Sequence, residues 1–242
     1  MKYKVYIMLI AVMAIMTTIT IFLILEITNT PKKVIIQEKE ITKKEEPIDW
    51  KRENIVFLGD SITEIYPISE IFGNLPIVKS GVSGYTTQDI LDRMNSMVYQ
   101  YNPTKVFLLI GTNDIMNDTK METREKLVDN IKKIIENIKS NKKNAKIYLE
   151  SIYPINRNMK KEMVAERNNG AIIDINKRLK KYCEDNSITF INMHDELLDK
   201  DGNFDEKYTY DGLHPNTLGY AKISLVRSKY IYNIENSEKT TK

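Results

Sequence analysis

The chain has 242 residues, 36 Lys/Arg against 33 Asp/Glu, and 42% hydrophobic residues. A net charge of +3 gives no electrostatic case for nucleic acid as a partner, and nine Gly and seven Pro are too few for a low-complexity chain. A single cysteine, Cys183, rules out an internal disulfide.

The first feature along the chain is an uncharged run of 21 residues, Val5 to Leu25. As a helix it spans roughly 30 Å, the hydrocarbon thickness of a bilayer. No small-residue cleavage site follows it, only Glu26-Ile27-Thr28-Asn29-Thr30-Pro31. An uncleaved transmembrane signal-anchor over 5–25 is therefore expected, with a cleaved signal peptide as the alternative. Lys2 and Lys4 make residues 1–4 a cytoplasmic tail, so the expected location is single-pass in the cell membrane with the folded domain extracytoplasmic. The basic residues Lys32, Lys33, Lys39, Lys43 and Lys44 argue for the opposite orientation. Residues 26–49 mix both signs of charge and hold two prolines, which reads as a solvated linker. Residues 233–242 read as a disordered tail.

The segment between, 50–232, is the size of one domain. Short apolar runs suited to buried strands occur at Ile55–Leu58, Pro76–Val78, Val106–Ile110, Ile147–Leu149 and Ile188–Ile191. Helical periodicity fills the gaps. It is clearest over 121–140, where Leu127, Val128, Ile131, Ile134, Ile135 and Ile138 share one face and Lys132, Lys133 and Lys139 form a solvated one. A second helix is predicted over 168–183 on Ile172, Ile175, Leu179 and Tyr182, and a third over 216–231 on Leu218, Ala221, Leu225 and Val226. Strict alternation of strand and helix implies a parallel sheet covered on both faces, with chemistry in the loops beyond the carboxyl ends of the strands.

Four such loops carry reactive residues. Gly59-Asp60-Ser61-Ile62-Thr63 follows the first run and exposes a serine at a strand-to-helix turn, although the same residues also make an ordinary helix cap. Ser80-Gly81-Val82-Ser83-Gly84-Tyr85-Thr86-Thr87 follows the second, with glycines that permit close backbone approach and threonines able to cap the next helix. Gly111-Thr112-Asn113-Asp114 follows the third, and the Asn113 amide can donate to a developing oxyanion or simply make a turn. A general base for the serine must be one of two histidines, His194 or His214. His214 lies in Asp211-Gly212-Leu213-His214-Pro215-Asn216, with a carboxylate three residues before it, whereas His194 reads as a surface or loop residue.

Taken together, these blocks make the chain resemble the SGNH hydrolases, the GDSL-like lipase/acylhydrolase family, as a membrane-anchored bacterial member. The resemblance covers about 52–230 and rests on Gly59-Asp60-Ser61-Ile62-Thr63, Gly81-Val82-Ser83-Gly84, Gly111-Thr112-Asn113-Asp114 and Asp211-Gly212-Leu213-His214-Pro215, in the family's order. It implies an α/β fold, a flavodoxin-like three-layer α/β/α arrangement around a five-stranded parallel sheet. It implies Ser61 as nucleophile, His214 as base, Asp211 as its orienting partner, and an oxyanion hole from the Ser61 and Gly84 amides and the Asn113 side chain. The chain departs from the family at Lys79, often asparagine, and at Tyr85, often aspartate.

The implied activity is an ester hydrolase working through an acyl-enzyme, with no metal or cofactor. The expected substrates are short-chain acyl esters, above all O-acetyl groups on cell-envelope or extracellular carbohydrate. Lipid esters such as lysophospholipids, thioesters, and transfer to an acetyl acceptor are the alternatives. Two readings of other classes are a metal hydrolase using His194, Asp195, Asp211 and His214, and a non-catalytic tethered binding module. The oligomeric state is not legible.

Overall fold

Five apolar runs become strands β1 (Ile55–Gly59), β2 (Ile77–Gly81), β3 (Lys105–Leu109), β4 (Lys146–Glu150) and β5 (Thr189–Ile191). They are described by a computed structural model covering residue 49 and residues 51–234. The expected tail 1–4, anchor 5–25, linker up to residue 48 and tail from residue 235 lie outside the described residues. Among the described residues no helix is long and apolar enough to cross a membrane.

All strand pairings are parallel, in the order β2-β1-β3-β4-β5. The order reverses between β1 and β3, and ligands of doubly wound sheets settle in the crevice at such a point. The crossovers contain α1 (Ser61–Glu64), α2 (Ile68–Phe72), α3 (Thr87–Asp92), α4 (Met94–Met97), α5 (Met121–Asn141), α6 (Lys161–Val164) and α7 (Asn169–Asp185). After β5 come α8 (Met193–Glu196) and α9 (Thr217–Ile231).

Every residue of β1 and β3 is buried, which explains why these strands read as continuous apolar runs rather than alternating ones. One face of the sheet, through Val56, Leu58, Val106 and Leu108, packs on Ile90 of α3, Ile131 and Ile135 of α5, and Ile172 and Leu179 of α7. The other face, through Ile55, Phe57, Phe107 and Tyr148, packs on Ile62 of α1 and on Tyr220 and Ile223 of α9. The helices thus form a layer on each side. The first two long helices bury the residues that their periodicity selects, with Tyr182 half-buried at the edge.

The third helix corrects the sequence reading. It spans Thr217–Ile231, but Leu218 and Leu225 are 61% and 65% exposed, Ala221 is exposed and Val226 is only half-buried. The inward face instead carries Tyr220, Ile223, Ser224, Arg227 and Ile231. Polar residues turn inward because partners wait for them. The Arg227 guanidinium grips the Glu150 carboxylate bidentately, Nε to Oε1 at 2.5 Å and Nη2 to Oε2 at 2.9 Å, and both side chains are fully buried. The Tyr153 hydroxyl donates to the same carboxylate at 2.8 Å. The guanidinium also lies over the rings of Phe57 and Tyr66, 4.6 and 4.7 Å from their centroids. Beside it, the Tyr66 and Ser224 hydroxyls are 2.5 Å apart, and the Tyr220 hydroxyl donates to the Ile62 carbonyl of α1 at 2.8 Å.

Lys105, outside the apolar run expected for the third strand, is the first residue of β3 and is buried. Its ammonium donates to the Ile231 carbonyl at 2.8 Å and to Asn233 Oδ1 at 2.9 Å. A cation there complements the negative end of α9.

Removing one partner of a buried ion pair strands the other charge, at a cost of about 3–5 kcal/mol. Glu150→Ala is expected to lower unfolding free energy by that amount in a denaturant titration followed by circular dichroism. A change within about 1 kcal/mol contradicts the arrangement, because surface ion pairs fall in that range.

Candidate active site

β1 ends at Gly59, and the chain turns directly into α1. Asp60 caps that helix, its Oδ1 accepting from the Ile62 N–H at 3.0 Å, which makes Ser61 the first helical residue. A residue in that place has an N–H with no intrahelical acceptor. Among the described residues no other acceptor takes the Ser61 N–H.

Beyond β2, the Ser83 N–H donates to Glu64 Oε2 at 2.9 Å, and the Ser83 hydroxyl also bonds that carboxylate. Glu64 thereby ties the second loop to α1. Gly84 follows with φ of +80°, a left-handed conformation natural to glycine, and a side chain there would meet no neighbouring atom. The position requires the backbone conformation rather than the space. Thr86 then opens α3 in a reciprocal cap with Asp89.

Beyond β3, Asp114 accepts the Thr87 N–H at 2.9 Å and the Thr87 hydroxyl at 2.5 Å, fixing the third loop to the second. Asn113 lies between them. Its Nδ2 donates to the Tyr85 carbonyl at 3.0 Å, and its Oδ1 accepts from Arg167 Nη2 at 2.9 Å. The sequence alone does not single out Glu64, Asp114 or Arg167 for these ties. Glu64 and Asp114 belong to or adjoin the recognised blocks, whereas nothing in the sequence separates Arg167 from the basic residues around it.

The last loop is a tight turn. Asp211 Oδ1 accepts from the Leu213 and His214 N–H groups at 2.9 and 2.8 Å. Gly212 has φ of +89°, and a Cβ there would lie 2.3 Å from the Asn156 carbonyl oxygen, so nothing larger fits without displacing backbone. The remaining oxygen, Asp211 Oδ2, is 2.8 Å from His214 Nδ1, and His214 Nε2 is 3.0 Å from Ser61 Oγ. The structure therefore brings Ser61, His214 and Asp211 into one hydrogen-bonded series. Gly84 and Asn113 lie in the neighbouring loops on the same edge of the sheet.

Burial alone would raise the pKa of Asp211, but hydrogen bonds from the His214 backbone and ring and from the Leu213 N–H hold it below the ordinary carboxylate value. An ionised Asp211 keeps the proton on His214 Nδ1 and leaves Nε2 to accept from Ser61. Asp60 behaves oppositely. Burial pushes its carboxyl up to about 7, against the opposing pull of the Ile62 N–H and the Arg167 charge, and Asp114 repels it further. Its Oδ2 is buried with no partner among the described residues.

His194 is not the surface residue its sequence context suggests. It is 5% exposed in α8, its N–H bonded to Ser151 Oγ at 2.7 Å and its Nδ1 3.0 Å from Asp195 Oδ1. It lies in a separate cluster from His214, and among the described residues no three His, Cys, Asp or Glu side chains could hold a metal ion.

Comparison with known proteins identifies a family and several relatives. The profile of the GDSL-like Lipase/Acylhydrolase family matches residues 57–222. A multidomain esterase of Ruminococcus flavefaciens is 30% identical over 163 residues, which are 60% of this chain and 19% of that protein. An N-acylneuraminate cytidylyltransferase of Escherichia coli is 28% identical over 170 residues, 69% of this chain and 38% of that one. The chain thus spans well under half the length of either relative. A solved structure from Streptococcus pneumonia, provisionally named a platelet activating factor, is 35% identical, with a TM-score of 0.67, and the match covers 74% of this chain and 84% of that chain.

Asp60 gives the fold a specific pH dependence. Its carboxyl titrates near 4 in an unfolded chain and at about 7 in the folded one, so the folded state holds the proton more tightly. Stability from this group is full below the unfolded value and is lost as pH rises through the folded one, with a slope approaching about 1.4 kcal/mol per pH unit. Asp60→Asn keeps the capping oxygen and removes the titration. The difference in unfolding free energy between Asp60→Asn and wild type is expected to grow in favour of the Asp60→Asn variant between about pH 5 and pH 7, as measured by urea titration at each pH.

Proposed function

Because this chain belongs to the GDSL-like lipase/acylhydrolase family, we propose that it is an ester hydrolase in which Ser61 is the nucleophile, His214 the general base and Asp211 its orienting carboxylate. The observation that carries this reading is the unbroken relay from Ser61 Oγ through the His214 ring to Asp211, at 3.0 and 2.8 Å. In the first half-reaction Ser61 Oγ attacks the ester carbonyl carbon while its proton passes to His214 Nε2. The oxyanion is stabilised by the N–H groups of Ser61 and Gly84 and by Asn113 Nδ2, each attached to a loop fixed to its neighbours. Collapse breaks the bond to the alcohol oxygen, which takes the proton from His214. Water then attacks the acyl-enzyme with His214 again as base, releasing the acid and restoring Ser61. None of these steps calls for a metal or cofactor.

The favoured substrates are short acyl esters, O-acetyl groups on envelope or extracellular carbohydrate. Two features support this: only 22 residues separate Ser61 from Gly84, leaving no room for a large lid between the first two loops, and one relative is itself an esterase. The uncharged run Val5–Leu25 supports a membrane-anchored protein whose domain works outside, within reach of a linker over 26–49. A second reading, a lipid acyl ester such as a lysophospholipid, is favoured by exposed apolar side chains near the relay. Tyr210, 60% exposed, adjoins Asp211, and the exposed Leu218 follows in the first turn of α9.

The test uses the full chain and p-nitrophenyl acetate. Ser61→Ala is expected to abolish turnover and covalent labelling by a fluorophosphonate, while Asn113→Ala, lacking one oxyanion donor, loses about 10²–10³ in kcat. Wild-type activity in Ser61→Ala overturns the assignment. Comparing acetylated xylan or peptidoglycan with lysophosphatidylcholine separates the two substrate readings, and labelling of intact cells with a membrane-impermeant fluorophosphonate reports the side of the membrane.

A further inference from the structure

Arg167 is 1% exposed, and its charge is felt at the Asp60 carboxyl, yet among the described residues no carboxylate is hydrogen-bonded to it. A guanidinium in such a place is normally matched by an anion, because an unpaired buried charge is strongly disfavoured. Here the partners are oxygens of the third loop and of its own turn. Nε donates to the Thr112 carbonyl at 2.7 Å, Nη2 to Asn113 Oδ1 at 2.9 Å, and Nη1 to the Met163 and Val164 carbonyls at 3.1 Å each. The turn is held in its place by the Glu166 N–H, which donates to the Met116 carbonyl at 2.9 Å.

These contacts settle a question that an amide side chain leaves open. Asn113 presents an oxygen and a nitrogen of nearly equal size, and either could face the reacting carbonyl. Arg167 has only donors, so it takes the oxygen. The Tyr85 carbonyl is only an acceptor, so it takes one hydrogen of Nδ2. The second hydrogen of Nδ2 has no protein acceptor among the described residues. A cation bonded to the amide oxygen also withdraws electron density from the nitrogen and strengthens that N–H as a donor.

We propose that Arg167 is a positioning residue for ester hydrolysis: through Asn113 Oδ1 and the Thr112 carbonyl it fixes and polarises the Asn113 amide, so that Nδ2–H is aimed at the oxyanion. The inference rests on the reading of Asn113 as an oxyanion donor. Arg167 itself touches no substrate. Its charge acts through one intervening amide, and its effect belongs to the transition state rather than to substrate binding.

The experiment is a double-mutant cycle on the full chain with p-nitrophenyl acetate. It compares wild type, Arg167→Met, Asn113→Ala and the double variant, each normalised by fluorophosphonate titration of Ser61. Arg167→Met is expected to lower kcat on the order of 10-fold or more while KM stays within about twofold. In the Asn113→Ala background the same change should alter kcat by less than about twofold, since the amide it serves is gone. Equal losses in the two backgrounds overturn the proposal, as does a loss confined to melting temperature with kcat per titrated site unchanged. If Arg167→Met does not fold, Arg167→Lys replaces it under the same criteria, because one ammonium keeps the charge but cannot reproduce the planar fork that spans Thr112 and Asn113. Failure of the broader reading has a different signature: titration by fluorophosphonate that does not depend on Ser61.

Discussion

A fully buried carboxylate and guanidinium, Glu150 and Arg227, govern how the last helix meets the sheet. Neither charge could stay in the interior without the other, so the two must arrive together. Net stability from such a pair is small, since desolvation offsets most of the attraction. Its visible effect is one of register. α9 carries leucines on one side and Arg227 on another, and the side with Arg227 is turned inward. With the helix in that rotation, Tyr220 reaches the Ile62 carbonyl and Ser224 meets Tyr66, so α1, which begins with Ser61, is supported from behind.

The same interaction marks the boundary of what the sequence discloses. Hydrophobic periodicity locates α5 and α7 to within two residues, because their inward faces are apolar and period and burial coincide. It also locates α9 in length but selects Leu218 and Leu225 as its buried face, since no periodicity rule anticipates that a guanidinium will be inside. Glu150 lies at the far end of the chain's fourth strand and Arg227 lies 77 positions later. Only the folded chain brings them together. Lys105 repeats the lesson: a lysine at a strand start reads as a boundary, and its role at the end of α9 depends on contacts 125 and 126 positions away.

The candidate site divides similarly. Ser61, Gly84, Asn113, Asp211 and His214 are legible because each lies in a short block whose residue types carry their chemistry locally. The groups that hold those blocks against one another are not. Glu64 fixes the Gly84 loop to α1, Asp114 fixes the Asn113 loop to α3, and Arg167 enters from a different crossover altogether. His194 shows the reverse error. Placed just after a strand and beside Asp195, it reads as peripheral, but α8 tucks it into the interior with its N–H on Ser151.

The turn that holds Asp211 and His214 has a consequence of its own. His214 and Asp211 lie within one short turn bound through the same Asp211 side chain, so they travel as one body, whereas Ser61 lies 153 positions before His214, on β1's loop. The Ser61–His214 contact is therefore a seam between two separately built parts. One part, made of the first three loops, keeps its own cross-links when the seam opens; the other keeps its tautomer. Displacement of the 211–214 turn alone, with α9 still seated behind α1 through Tyr220 and Ser224, would part His214 from Ser61 while the cross-links among the first three loops and the sheet stay whole.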